Sequence, residues 1–229
     1  MNTELKLNGQ IALVTGASRG IGRQLALKLG SAGAQVIAVA RTLGGLEELD
    51  DEIQSAGGPQ ATLVYLDLLK LDQIDALGPQ IYERWGKLDI LCGMAGYMNE
   101  LIPTWQLDPP DWQRAMCVHA EANARLIRTC DPLLRLSDNA RAVFALGSAP
   151  EDGRPYWTAY AASKAALAAL VSTYANEVQS YGIKVQGIDP GPTATNLRKK
   201  AYPGEDQSTL QTAEQAADIF MSALLKQKA

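Results

Sequence analysis

At 229 residues the chain is long enough for one sizeable α/β core and does not require two. Its 47% apolar and 20% charged residues are those of a globular protein, and a formal charge of −4 argues against the broad basic face that nucleic-acid binding needs. No apolar run is long enough to span a bilayer, and the polar start from Met1 to Gln10 has no signal-peptide core, so a cytoplasmic protein is expected.

The three cysteines, Cys92, Cys117 and Cys130, are odd in number and far apart, which suits neither a disulfide framework nor a zinc site. Buried reduced thiols are expected. With His119 as the single histidine, a His-rich metal site is excluded and no metal is expected; a Ser-His-Asp hydrolase is hard to assemble.

In chain order, Ile11 to Thr15 is a short apolar run, followed at once by Gly16-Ala17-Ser18-Arg19-Gly20-Ile21-Gly22. Leu25, Ala26, Leu29 and Ala32 then recur at helical spacing. Strand, glycine-rich turn and helix in that order make a phosphate site. The glycines let the backbone approach a pyrophosphate, and the helix start offers free N–H groups. Gln35 to Ala40 reads as a second buried strand. A NAD site carries an acid near the end of that strand to hold the ribose 2′-hydroxyl. Here Ala40-Arg41-Thr42 follows, and Arg41 together with Arg19 favours a 2′-phosphate, hence NADP over NAD.

Leu43 to Ala56 is expected as helix, stopping at Gly57-Gly58-Pro59. Ala61 to Leu66 is a third strand, with Asp67 and Leu68 at its end available to the adenine. Leu71 to Trp85 is one helix and Leu88 to Cys92 the fourth strand, with Gly93-Met94-Ala95-Gly96 after it. Tyr97 to Pro110 is a loop. Asp111 to about Leu136 is a long helix that Pro132 should kink or end early. Ala142 to Leu146 is strand five, Thr158 to Ser180 helix and Lys184 to Ile188 strand six. Pro190-Gly191-Pro192 opens a loop before a last helix from about Thr212 to Lys226. Such alternation predicts a parallel sheet covered on both faces, in one domain over residues 1–229.

Tyr160 and Lys164 stand four apart on the Thr158 helix and so share a face. A free phenol titrates near pH ~10. An ammonium about 4 Å away in an effective dielectric of about 20 favours the phenolate by roughly 4 kcal/mol. That would lower the phenol by about 3 pH units, close to neutrality.

Together these motifs resemble the short-chain dehydrogenase/reductase family of the single-domain, NAD(P)-dependent type, along nearly the whole chain. The resemblance rests on Thr15 to Gly22, Asp67 after strand three, Ala95-Gly96 after strand four, Ser148 after strand five, Tyr160-x-x-x-Lys164, and Pro190-Gly191-Pro192-Thr193-Ala194-Thr195. It implies a Rossmann-like doubly wound α/β fold and an oxidoreductase acting on a carbonyl or secondary alcohol. Gly16, Gly20, Ile21 and Gly22 would surround the pyrophosphate, with Ser18, Arg19, Arg41 and Thr42 on the adenosine side. Ala95, Gly96, Pro190, Gly191, Thr193 and Thr195 would complete the cofactor cleft. Tyr160 would be the general acid and base, Lys164 would lower its pKa and bind the nicotinamide ribose, and Ser148 would hydrogen-bond the substrate oxygen.

Departures from the family accompany the match. Gly93-Met94 replaces an asparagine pair, and Met94 supplies packing in its place. His119 stands where the family has an asparagine that holds a water. Its imidazole either takes over that catalytic role or only packs. Ser148 lies one place nearer the tyrosine than usual. Six strands are expected, without the family's usual seventh after the last helix. Alanine-rich faces on the Asp111 and Thr158 helices suit a homodimer, with a tetramer the alternative. The competing functional reading is a dinucleotide-binding protein with little catalysis, serving as sensor or structural partner. The segment from Asn196 to about Ser208 is expected to roof the substrate pocket, with Tyr97, Met98, Tyr156 and Trp157 as candidate walls. In that roof Arg198, Lys199 and Lys200 either attract an acidic substrate or are simply solvated.

Overall fold

The computed structural model describes residues 7–147 and 153–225. The strands are β1 (Ile11–Thr15), β2 (Gln35–Ala40), β3 (Thr62–Tyr65), β4 (Ile90–Gly93), β5 (Arg141–Ala145) and β6 (Lys184–Ile188). All pair in parallel in the order β3-β2-β1-β4-β5-β6. This is the parallel sheet that the alternation predicts, with the six strands and Rossmann-like order that the family resemblance implies.

Alternate residues of the central strands serve two cores, which is why these strands read as continuous apolar runs. Leu13, Ile37, Leu91 and Phe144 face one helical layer, and Val14, Ala38, Cys92 and Val143 the other. The first layer holds α3 (Leu71–Asp75), α4 (Leu77–Trp85), α6 (Ala122–Leu134) and α7 (Thr158–Glu177). The second holds α1 (Gly20–Ser31), α2 (Leu43–Ser55) and α9 (Ala213–Leu225), with α1 and α9 packed together.

Two helices differ from the sequence reading. The segment expected as one helix from Leu71 to Trp85 breaks at Ala76. Pro79 has no N–H to close on the Asp75 carbonyl, and that carbonyl instead accepts from Thr129 Oγ1 at 2.9 Å. The long helix begins two residues early, as α5 (Pro109–Met116) with proline in its first turn, where a missing N–H costs nothing. It then widens into a π turn over Cys117–Glu121, where the Ala122 N–H reaches back five residues to the Cys117 carbonyl. The Asn123 side chain donates to the His119 carbonyl at 2.8 Å and so supports the widened turn. Pro132 lies inside α6 without ending it there; the helix stops at Leu134.

The sheet order reverses direction between β1 and β4, which makes their carboxyl ends the place for a ligand crevice. There the chain is pulled close. A Cβ on Gly16 would stand 2.9 Å from the Ala95 Cα, and one on Gly22 2.5 Å from the Gly16 carbonyl oxygen. Thr15 Oγ1 donates to the Cys92 carbonyl at 3.3 Å and accepts from the Met94 N–H at 3.1 Å. That hydroxyl ties β1 to the turn after β4, and Met94 packs in the second core as expected.

Candidate active site

A cavity of about 920 Å³ opens along these carboxyl ends. Its first half is lined by Gly16, Ser18, Arg19, Gly20, Ile21 and Gly22, then by Arg41, Thr42, Asp67 and Leu68. Gly16 and Gly20 both take the left-handed conformation, with φ of +68° and +59°, which bends the backbone around the cavity. The N-terminus of α1 has no side-chain cap and no acid in its first turn. Its N–H groups and its positive dipole end are therefore free for an anion. Arg41 sits 3.9 Å from the Asp67 carboxylate, a loose contact that keeps its guanidinium at the cavity rim. A glycine-walled cleft with an uncapped helix terminus, and with Arg19 and Arg41 among its lining residues, fits a dinucleotide.

The second half is lined by Ala95, Gly96, Tyr160, Lys164, Pro190, Gly191, Thr193 and Thr195, with Met98, Trp157 and Tyr202 beyond them. Ser148 lies outside the described residues. Tyr160 and Lys164 share one face of α7, as their spacing requires, and both are buried. Lys164 Nζ donates to the Ala145 carbonyl at 2.7 Å and stands 5.8 Å from the Tyr160 ring centre.

The electrostatics correct the expected lowering of the phenol. Burial, with the Asp189 carboxylate second, pushes Tyr160 up to about 12. Burial also pulls Lys164 down to about 7, against the opposing pull of Asp189. Desolvation costs the phenolate more than a half-ionised amine returns, and that amine is turned toward a carbonyl. The phenol thus holds its proton firmly, while the lysine exchanges one near neutrality.

His119 lies on the π turn, fully buried, and is not part of the cavity wall. Its Nε2 accepts from the Tyr97 backbone N–H at 3.0 Å, which places the ring proton on Nδ1. Nδ1 lies 2.8 Å from Ser163 Oγ, which itself donates to the Ala159 carbonyl at 2.7 Å. One tautomer satisfies the whole chain of hydrogen bonds, and no ring nitrogen is left to hold a water. Burial, then the Lys164 charge, hold this imidazole well below its usual range. Of the two readings that the family resemblance left for His119, this geometry supports the packing one and not the water-holding one: it is a neutral strut between the loop after β4 and α7. Its ring also meets the Tyr160 ring edge-on, with centres 5.5 Å apart.

Other candidates fall on both sides. Tyr97, Met98 and Trp157 line the cavity. Tyr156 does not; it is exposed and strained into a left-handed φ of +76°. The roof from Asn196 forms a short helix, α8 (Asn196–Ala201), capped by Thr195 Oγ1, which accepts from the Arg198 N–H at 3.2 Å. Arg198 is engaged by Glu205 through two bonds of 2.6 Å, Lys199 is exposed and does not line the cavity, and Lys200 lines it. Thr193 Oγ1 accepts from the Gln211 side chain at 3.0 Å, fastening the loop to the start of α9. Cys92 and Cys130 are buried thiols, but Cys117 is only partly covered.

Sequence reasoning missed Gly147, Asp189, Ser163 and Arg154. Gly147 takes a left-handed φ of +70°, and a Cβ there would stand 2.6 Å from the Tyr160 hydroxyl. Its place just after strand five was the one available signal.

Residues 10–206 match the family model for the short chain dehydrogenases, so the chain belongs to that oxidoreductase family. It is 35% identical to the Escherichia coli K12 oxidoreductase YciK over 217 residues, 94% of this chain and 86% of that one. A short chain dehydrogenase from Shigella flexneri 2a, solved in complex with NADP, superposes with a TM-score of 0.89 at 35% identity, over 97% of this chain and 92% of that one. One from Escherichia coli CFT073, solved with NADPH, gives a TM-score of 0.89 at 36% identity over the same shares. Among the described residues no helix is long and apolar enough to cross a membrane.

Proposed function

We propose that the chain is an NADP(H)-dependent reductase of carbonyl compounds, with Tyr160 as the acid. The observation that carries this reading is one cavity holding both the uncapped, glycine-walled α1 terminus and the buried Tyr160–Lys164 pair. The neighbours solved with NADP and NADPH support the cofactor class, and Arg19 and Arg41 support the 2′-phosphorylated form.

When bound, the dinucleotide supplies the hydride. Gly16, Gly20, Ile21 and Gly22 hold its pyrophosphate, with Ser18, Arg19, Arg41, Thr42, Asp67 and Leu68 around the adenosine. Ala95, Gly96, Lys164, Pro190, Gly191, Thr193 and Thr195 hold the nicotinamide half. Tyr160 gives its proton to the carbonyl oxygen as hydride reaches the carbon, so that a C=O becomes a CH–OH. A phenol at about 12 starts fully protonated, which favours reduction. Lys164 at about 7 is suited to return the proton. Ser148 donates to the substrate oxygen. His119 acts at one remove, by holding α7 against the Tyr97 loop. The exposed side of α7 carries Ala165, Ala169 and Ser172, small residues that admit close approach of a second copy and support a homodimer.

The test is NADPH oxidation with a panel of ketones, aldehydes and quinones. Turnover on at least one class is expected. Tight NADPH binding with no turnover on any carbonyl would overturn the reductase and leave a dinucleotide-binding protein.

A further inference from the structure

The substrate half of the cavity carries its charge unevenly. Arg114, Arg154, Arg198 and Lys200 all line the cavity, and the one acid among its described lining residues is Asp67, beside Arg41 at the adenosine end. Arg198 is neutralised by Glu205, but the other three meet no carboxylate at ion-pair distance among the described residues. Each is placed against the apolar wall instead. Arg154 lies 5.8 Å from the Trp157 ring centre and donates to the Tyr202 hydroxyl. Lys200 Nζ donates to the Met98 carbonyl at 2.9 Å, and Arg114 lies 5.6 Å from the Tyr97 ring centre.

Met98, Trp157, Tyr160, Ala201 and the partly buried Tyr202 form one apolar cluster. Trp157 bridges it, with its ring centre 5.6 Å from that of Tyr160 on one side and 5.6 Å from that of Tyr202 on the other. Leading away from the reactive phenol there is thus first an apolar wall, then cations. A cation in such a place needs an anion or water, and a low-polarity wall strengthens the anion's pull.

Resting on the reductase reading above, we infer that the substrate is an anionic carbonyl compound. Its carbonyl lies at Tyr160, an apolar body packs on Trp157 and Met98, and a carboxylate or phosphate is held by Arg154 and Lys200. Arg114 adds to the field at the opening. This assigns to Lys200 the attraction of an acidic substrate, whereas Arg198 serves to brace the roof.

The experiment compares NADPH oxidation with methyl-ketone carboxylic acids of increasing chain length, their neutral methyl esters, and methyl-ketone alkyl phosphates. The anionic members should exceed the matched esters in kcat/KM by about tenfold or more, mainly through KM. Comparing acids with phosphates distinguishes the two anions. The double variant Arg154→Met, Lys200→Met should bring the acid-to-ester ratio close to one, with NADPH affinity shifted by less than about twofold, a result that also reports its fold. Lys200→Gln keeps a donor for the Met98 carbonyl without the charge and should narrow the ratio in the same direction. Equal turnover of acids and esters would overturn the inference while leaving the reductase standing. Weakened NADPH binding with an unchanged ratio would also overturn it, by assigning the cations to the dinucleotide. Absence of oxidation with every member would overturn the reductase reading itself, and this inference with it.

Discussion

At the β1–α1 end of the cavity the wall is backbone. Gly16, Gly20 and Gly22 curve the chain around a free helix terminus, and a side chain added at Gly16 or Gly22 would collide with neighbouring backbone. At the α7–α8 end the wall is side chains: Trp157 meets the Tyr160 ring edge-on and the Tyr202 ring at a tilt, and Lys200 and Arg154 close it from different segments. On the proposed function the first surface would meet what every dinucleotide presents, and it leaves no room for a side chain at Gly16 or Gly22. The second would meet the substrate, through side chains drawn from several segments. The difference separates binding from chemistry along a single cleft.

The sharpest break of that division is Tyr160→Phe. It should lower kcat by about a hundredfold to ten-thousandfold, the range for a lost acid, while fluorescence titration finds NADPH affinity unchanged. Gly22→Val should do the reverse, by attacking the backbone half. A Cβ 2.5 Å from the Gly16 carbonyl forces the turn open, and overpacking of this kind costs about 1–3 kcal/mol. NADPH affinity should fall with it, and urea unfolding should show the loss of stability.

His119→Asn tests the strut that holds the side-chain half in place. An amide is too short to meet both the Tyr97 N–H and Ser163 Oγ, so one group is left unpaired at about 1–3 kcal/mol in urea unfolding. The pH dependence has a definite sign. The folded imidazole titrates well below the usual 6.5, so below pH 6.5 the unfolded chain binds a proton that the folded chain does not. Stability therefore falls as pH drops below 6.5, and part of that slope should vanish in the variant because His119 is the single histidine. A slope identical in wild type and variant would refute the neutral strut.

The smallest effect is expected at the rim. Arg41→Asp should weaken NADPH by about tenfold, leaving NADH the same or better, since one exposed charged contact is exchanged for a repulsive one. Equal affinity of the wild type for both cofactors would sink the preference for NADP.

What was legible in the sequence follows this same division. The central strands β1, β2, β4 and β5 could be read because they are buried on both faces and so appear as apolar runs, and the glycine turn because only glycine fits its close approaches. The Tyr160–Lys164 pair followed from helical spacing alone. Their protonation did not, because burial and Asp189, brought from another strand end, outweigh the local pairing.

By itself, then, the sequence determined the order of elements, the sheet, the glycine turn and the shared face of Tyr160 and Lys164, all features set by periodicity or by backbone geometry within a few residues. Only the tertiary structure decided the rest. The break at Ala76 depends on Thr129 accepting the role of a missing N–H, and the π turn on Asn123 supporting its open carbonyl. The change of His119 from candidate catalyst to strut depends on Tyr97 and Ser163 meeting its two nitrogens. Hydrogen bonds and desolvation across long sequence separations leave no periodic trace, so these outcomes exist only once the chain has closed on itself.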